Sequence, residues 1–202
     1  RGQGDTGKAI RRNRLWDRNL LEWTANYTKA FGSAEEHKVD AIVGYSWENN
    51  LYADQKSEAT NFAVGSMGAD NIQSGNLLKI GNVTSSRNEY KLISLFARAH
   101  YSFKERYMIT ATVRRDGSSK FGKNNKWGYF PSASFAWRAS EEEFIKRWNV
   151  FSNLKVRLSY GAAGNNHIDN YLSLSKIGSV WIPYGTGTQS GFVSKQLYNP
   201  DL

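Results

Sequence analysis

The 202 residues contain no cysteine. That excludes disulfides and thiolate metal sites, and leaves the compartment open. Proline is scarce, 3 residues against 18 glycines, as suits many strands joined by glycine turns. No apolar run approaches the length of a membrane-spanning helix. The opening segment RGQGDTGKAIRRNRL has early positive charge with no hydrophobic stretch behind it, so it is not a secretory signal. With no initiator Met, the chain reads as an internal piece of a larger protein, any export signal lying outside it.

Catalytic patterns are also missing. His37, His100 and His167 lack metal-ligand spacing. His100 reads as a strand hydrogen-bonding group and His167 as a loop residue. Glu141, Glu142 and Glu143 read as a solvated turn or helix start, with Ser140 as its cap. Ser159–Tyr160–Gly161 is not a nucleophile elbow, and GSSKFG is not a phosphate loop. No enzyme activity, metal or cofactor is expected. The net charge of +9 raises nucleic acid as a partner. The positives are dispersed, however, and only Arg11, Arg12, Arg14 and the Arg114–Arg115 pair cluster. No nucleic-acid partner is expected.

What the chain does have is alternation. Aromatics make up 14% of it, with 7 Trp and 11 Tyr. In residues 21–31, Leu21, Trp23, Ala25, Tyr27 and Phe31 fall on one face, and Glu22, Thr24, Asn26 and Thr28 on the other. The same period recurs near residues 37–47, 90–103, 107–116, 129–139 and 153–161. Strands of this length cross a bilayer when tilted, provided the sheet closes. The pattern fits an outer-membrane barrel wall and also a soluble antiparallel sandwich, whose inner face uses the same apolar residues. The connections between strands 1–2, 3–4 and 5–6 read as short; those between 2–3 and 4–5 and the segment after strand six read as long. Short turns on one rim and long loops on the other are the habit of outer-membrane barrels. Residues 49–89 and 162–198 are the expected external loops, and IGSVWIPYG within the second reads as a strand or hairpin.

Motifs in the second half point further. RRDGSSKFG at 114–122, WGYFPSASFAWR at 127–138, LKVRLSYGAAGN at 154–165, Tyr107, and YNPDL at 198–202 resemble the barrel of a TonB-dependent outer-membrane transporter of the SusC/RagA type, found in Bacteroidetes. The first half fits through strand pattern more than through motif. The resemblance implies an all-β chain: an antiparallel meander forming part of a large transmembrane β-barrel in the cell outer membrane, with the plug domain absent. It implies import of glycans, oligosaccharides or peptides by the parent protein. The implied partners are the remaining barrel and plug, TonB through the absent N-terminal region, a surface lipoprotein lid, and outer-membrane lipid. The alternative is a noncatalytic soluble β-sandwich adhesin or carbohydrate-binding module.

Within that frame, Trp181 and Tyr184 are candidate substrate contacts, because exposed loop aromatics bind sugars and apolar groups. Arg98, Arg138 and Arg157, with Lys155, are expected on the lumen face, paired with Asp40, Glu48 or plug acids. Arg114, Arg115 and Asp116 are expected as a rim ion network. Trp127, Tyr129, Phe130 and Trp137 read as girdle or packing residues.

Overall fold

The alternation becomes strands, several of them much longer than the pattern suggests. The computed structural model describes residues 7–62, 68–77, 81–185 and 187–202. Strands β1 (Lys8–Phe31), β2 (His37–Phe62), β3 (Gly75–Leu77), β4 (Val83–Phe103), β5 (Tyr107–Ser118), β6 (Trp127–Arg138) and β7 (Lys155–Gly161) form one sheet. Its order is β1-β2-β4-β5-β6-β7, with β3 added against β2. Strands β8 (Lys176–Tyr184) and β9 (Gly187–Gln196) make a separate antiparallel hairpin.

Residues 1–19 and 49–90 form one compact unit, and residues 20–48 and 91–202 a second. The first unit has a small core, Ala9, Ala59 and Phe62 with Ile72 against it. It is otherwise laced with ion pairs. In the second unit the register from β4 to β7 is continuous and puts every alternate residue on a common face. One face carries the rows Tyr101–Ile109–Phe135–Leu158 and Ala99–Ala111–Ala133–Tyr160. The opposite face carries His100–Thr110–Ser134–Ser159 and Arg98–Thr112–Ser132–Gly161.

Among the described residues no second sheet covers the apolar face: Ile109 is 50% exposed, Phe135 42% and Leu158 73%. Among the described residues no large side chain is fully buried. A soluble sandwich buries such a row between its two sheets; here the row stays open. Aromatics stand at both ends of the face, Phe103, Tyr107 and Trp137 at one and Trp127 and Tyr129 at the other. Tyr129 and Trp137 are eight positions apart on β6. That is roughly 27 Å along a strand and about 20 Å along the axis of a tilted barrel wall, close to the apolar band of such walls.

The turns explain the direction changes. Lys104 and Glu105 both take positive φ, 51° and 53°, and the Arg106 N–H donates to the Phe103 carbonyl at 3.0 Å. This is the tight primed turn that matches strand twist, built here without glycine.

Three expectations about connections need correction. Most of 49–89 is strand, because β2 continues to Phe62 and β4 starts at Val83; only residues 63–82 connect them, and 63–67 and 78–80 lie outside the described residues. Loop length does not alternate as expected either. The β5–β6 loop spans 119–126, whereas residues 139–154 hold a 3-10 turn (Ala139–Glu141) and a one-turn helix α1 (Glu143–Lys146). Finally, Ser140 does not cap α1. Its position is inside the 3-10 turn, where its N–H donates to the Leu154 carbonyl at 3.0 Å, and Glu142 is the N-cap without a side-chain bond.

Candidate functional site: the polar face and its rims

Strand pleating puts Arg98, Arg114, Asp116, Arg138 and Arg157 on the same face of the second unit. Arg98 sits in a groove of about 310 Å³ with Thr110, Thr112, Ser132, Ser134 and Ser159. Its polar lining is hydroxyl and guanidinium, beside Ala133 and Gly161, the chemistry of a hydrogen-bonding wall rather than of a core. Among the described residues neither Arg98 nor Arg157 has an ion-pair partner. Arg138 pairs with Glu105 of the tight turn at 3.6 Å, not with Asp40 or Glu48. Asp40 instead accepts from the Thr28 hydroxyl at 2.8 Å. His100 bonds Thr110 Oγ1 at 2.9 Å, as expected of a strand residue.

Toward the β5–β6 loop the same face forms a cavity of about 270 Å³. Arg114 Nε donates to both Asp116 oxygens at 2.7 and 2.8 Å, and its Nη2 to Ser94 Oγ at 3.0 Å. Phe130, Asn165 and Asn166 complete the wall. Two expectations change here. Phe130 is in register with Arg114, so it belongs to the polar face and not to the girdle; glycine at 128 and 164 leaves room for its ring. Arg115 is in register with Leu95 and Tyr129 and faces away from the Arg114–Asp116 pair. Successive residues of a strand cannot share a rim network on one face.

Residues 119–126 are clasped by the C-terminal YNPDL. The Gly122 N–H donates to the Leu202 carbonyl and the Asn124 N–H to the Pro200 carbonyl, both at 3.1 Å. Asn124 Nδ2 reaches Asp201 Oδ1 at 2.6 Å, and Asn125 Nδ2 the Asp201 carbonyl at 2.7 Å. A side chain at position 122 would run into the Pro200 carbonyl. Sequence reasoning missed this clasp, whose partners lie 77 positions apart.

At the opposite rim Glu142 is the organising group. It accepts from the Tyr107 hydroxyl at 2.6 Å and from Trp137 Nε1 at 3.2 Å, and pairs with Arg106 at 3.5 Å. The Tyr107 bond, with Trp137 second, holds the Glu142 carboxyl below the usual carboxylate range. Tyr107 and Trp137 are register partners on the apolar face, so Glu142 satisfies the polar tips of two belt aromatics.

Trp181 and Tyr184 are not brought together. They lie on β8 at positions of opposite parity, so they occupy opposite faces of the hairpin. Trp181 is half-exposed and Tyr184 is exposed. Gln196 pins the hairpin base, its amide donating to the carbonyls of Tyr171 and Leu174 at 3.0 and 2.8 Å.

In the first unit, Asp54 takes Arg12 at 2.6 Å and Arg14 at 3.2 Å, and Glu58 takes Lys8 and Lys56 at 2.6 Å each. Arg12, then Arg14, holds Asp54 below the ordinary carboxylate range, and Lys56, then Lys8, does so for Glu58. Trp16 packs on Tyr52 at 5.3 Å.

Comparison with known proteins agrees with this architecture. The family model described as TonB dependent receptor-like, beta-barrel matches residues 2–202. A TonB-dependent receptor of Formosa agariphila is 34% identical over 201 residues, covering 100% of this chain and 20% of that protein. The TonB-dependent receptor SusC of Bacteroides thetaiotaomicron is 40% identical over 112 residues, 54% of this chain and 11% of SusC. Among solved structures, the RagAB peptide importer in its closed-closed state superposes with a TM-score of 0.78 at 26% identity, covering 96% of this chain and 21% of that one. The RagAB peptide transporter gives a TM-score of 0.81 at 24% identity. The chain thus spans about a fifth of the length of the F. agariphila receptor. Two faces of opposite chemistry, aromatic girdles and a match over nearly every residue lead to one conclusion: the chain belongs to the TonB-dependent receptor β-barrel family and forms a partial wall of an outer-membrane barrel.

Proposed function

We propose that this chain supplies wall and loops to an importer that moves an oligosaccharide or a peptide across the outer membrane, driven through TonB. It contributes no catalysis. The observation that carries the reading is the uncovered two-faced sheet, apolar toward lipid and lined with Arg98, Thr112, Ser132 and Ser159 on the other side. Such a polar wall is what a plug or a passing solute requires. Similar proteins support the class, one being named SusC and another, a solved structure, described as the RagAB peptide importer. The parent's plug and a surface lipoprotein are the proposed partners.

In this reading the β5–β6 rim and the β8–β9 hairpin face the cell exterior. Trp181 and Tyr184, on opposite faces of that hairpin, serve two different contacts: one toward solute, the other toward the lipoprotein. Arg98 and Arg157 attract anionic or hydrogen-bonding solutes to the lumen wall, and the Arg114–Asp116 pair shapes its outer mouth.

The test is uptake by the intact receptor in a strain lacking it, offered defined oligosaccharide and peptide pools. Uptake of one pool that stops when the proton gradient is collapsed supports the reading. Removal of residues 176–196, with barrel insertion intact, should impair that uptake. Gradient-independent growth on both pools, unchanged by the deletion, would reject it.

A further inference from the structure

Across the register from β4 to β7, Arg115 is the one charged residue on the apolar face. The rows on either side of it are Ala97–Val113–Pro131 and Ile93–Gly117–Trp127. Its guanidinium carbon lies 4.3 Å from the Trp127 ring and 5.3 Å from the Tyr129 ring. Its Nε is buried with no hydrogen-bond partner. Among the described residues it has no carboxylate partner, whereas Arg114, one position away, is fully engaged by Asp116 and Ser94. Beside it, Trp23, Val43, Leu95, Val113 and Tyr129 line an apolar trough of about 290 Å³.

An unpaired guanidinium on a lipid-facing wall is costly at the bilayer centre and tolerable near the interface. Arg115 stands at the girdle level set by Trp127 and Tyr129. The two rings lie against the planar cation and favour it through their π faces, and its fork has capacity left for an anion from the lipid side. The adjoining trough is apolar. An anionic head joined to a hydrocarbon tail is the occupant that complements both parts.

We infer that Arg115, held by Trp127 and Tyr129, binds the phosphate of an outer-leaflet glycolipid whose acyl chain lies in the Trp23–Val43–Leu95 trough. The choice of leaflet rests on the proposed outward orientation of the β5–β6 rim.

The experiment uses the full-length receptor in detergent, titrated with bisphosphorylated lipid A and with its dephosphorylated form, and read by native mass spectrometry. Wild type should prefer the phosphorylated form. Arg115→Gln should lower that affinity about tenfold, leave the dephosphorylated form unchanged and so remove the preference; Arg115→Lys should keep part of it. Heat-modifiable migration of each variant reports an intact barrel. A preference that survives in Arg115→Gln, or none in wild type, overturns the site. Full competition by inorganic phosphate overturns a lipid ligand, and tighter binding of phosphatidylglycerol overturns the glycolipid. Biotinylation of exposed Lys123 in intact cells tests the orientation separately. Lack of labelling there overturns the leaflet choice, while loss of phosphate discrimination overturns the site itself.

Discussion

Residues 8–19 with 49–62, and residues 107–138, are built largely of β-strand, yet they treat exposed side chains differently. In the first unit, strand neighbours neutralise one another: Lys8 with Glu58, Arg12 and Arg14 with Asp54. In the second, one face is nearly free of charge and leaves Ile109, Phe135 and Leu158 uncovered. The backbone is the same; the solvent it is made for is not. Strand length agrees. β5 and β6 have 12 residues each, near the ~9–11 that a tilted strand needs to cross a bilayer. β1 and β2 have 24 and 26, and the excess length is where the ion pairs concentrate. On this division the excess length meets water and the apolar face of the second unit meets lipid.

The largest expected effect breaks this contrast directly. Ile10 and Ile109 are about equally exposed, 46% and 50%. In the full receptor, Ile109→Arg should cost roughly 2–4 kcal/mol as a charge facing mid-bilayer lipid. Ile10→Arg, facing water, should change stability by less than about 0.5 kcal/mol. Urea-unfolding midpoints and outer-membrane abundance of the two variants check this.

Next comes Gly44. Its missing side chain leaves space for the Phe96 ring on the polar face, and a Cβ there would overlap it. Gly44→Val should cost about 1–3 kcal/mol through overpacking. The double variant with Phe96→Ala should recover part of that, measured by the same midpoints.

Smaller still is the tight turn. Glu105→Gly should stabilise by about 1 kcal/mol, because glycine accepts the positive φ that Glu105 adopts at 53°. A lowered unfolding midpoint would contradict the turn assignment.

How much of this was legible in the sequence follows from the same contrast. Between residues 90 and 161, one face was apolar and the other polar, so the strands and their shared faces could be read off before any coordinates. NNLYADQKSEATNF, residues 49–62, carries polar groups on both faces. Its period vanished, and a strand read as a loop. Residues 8–20 give no strand signal for the same reason, since Arg11, Arg12, Arg14 and Arg18 interrupt any apolar stripe. Parity alone puts Arg98, Arg138 and Arg157 on one face, whereas Arg114 and Asp116 read as a rim network with Arg115. Arg115 was grouped with its neighbours by charge, although parity already sets it beside Leu95 and Tyr129. The Asn124–Asp201 clasp left no local signal, since each partner reads as an ordinary turn residue.

The smallest effects are pH-dependent and separate the two regions again. Asp54 and Glu142 both have depressed folded-state values, Asp54 through Arg12 and Glu142 through Tyr107. A depressed carboxylate adds stability above its unfolded value, and that stability is lost as pH falls through the folded value. Asp54→Asn and Glu142→Gln should therefore each flatten the acid limb of the stability curve. Added salt should diminish the Asp54 contribution, an ion pair, more than that of Glu142, whose main partners are the neutral Tyr107 and Trp137. Midpoints between pH 3 and 7 at two ionic strengths, on the order of 0.05 and 0.5 M, check this.

The division between lipid and water is tested most directly by single-cysteine spin labelling of the full receptor in bilayers, the chain itself having no cysteine. Labels at Ile109→Cys, Phe135→Cys and Leu158→Cys should relax with dissolved oxygen and be shielded from a water-soluble nickel complex, and labels at Ile10→Cys and Leu15→Cys should show the reverse. Nickel-accessible labels at positions 109, 135 and 158 would contradict the account.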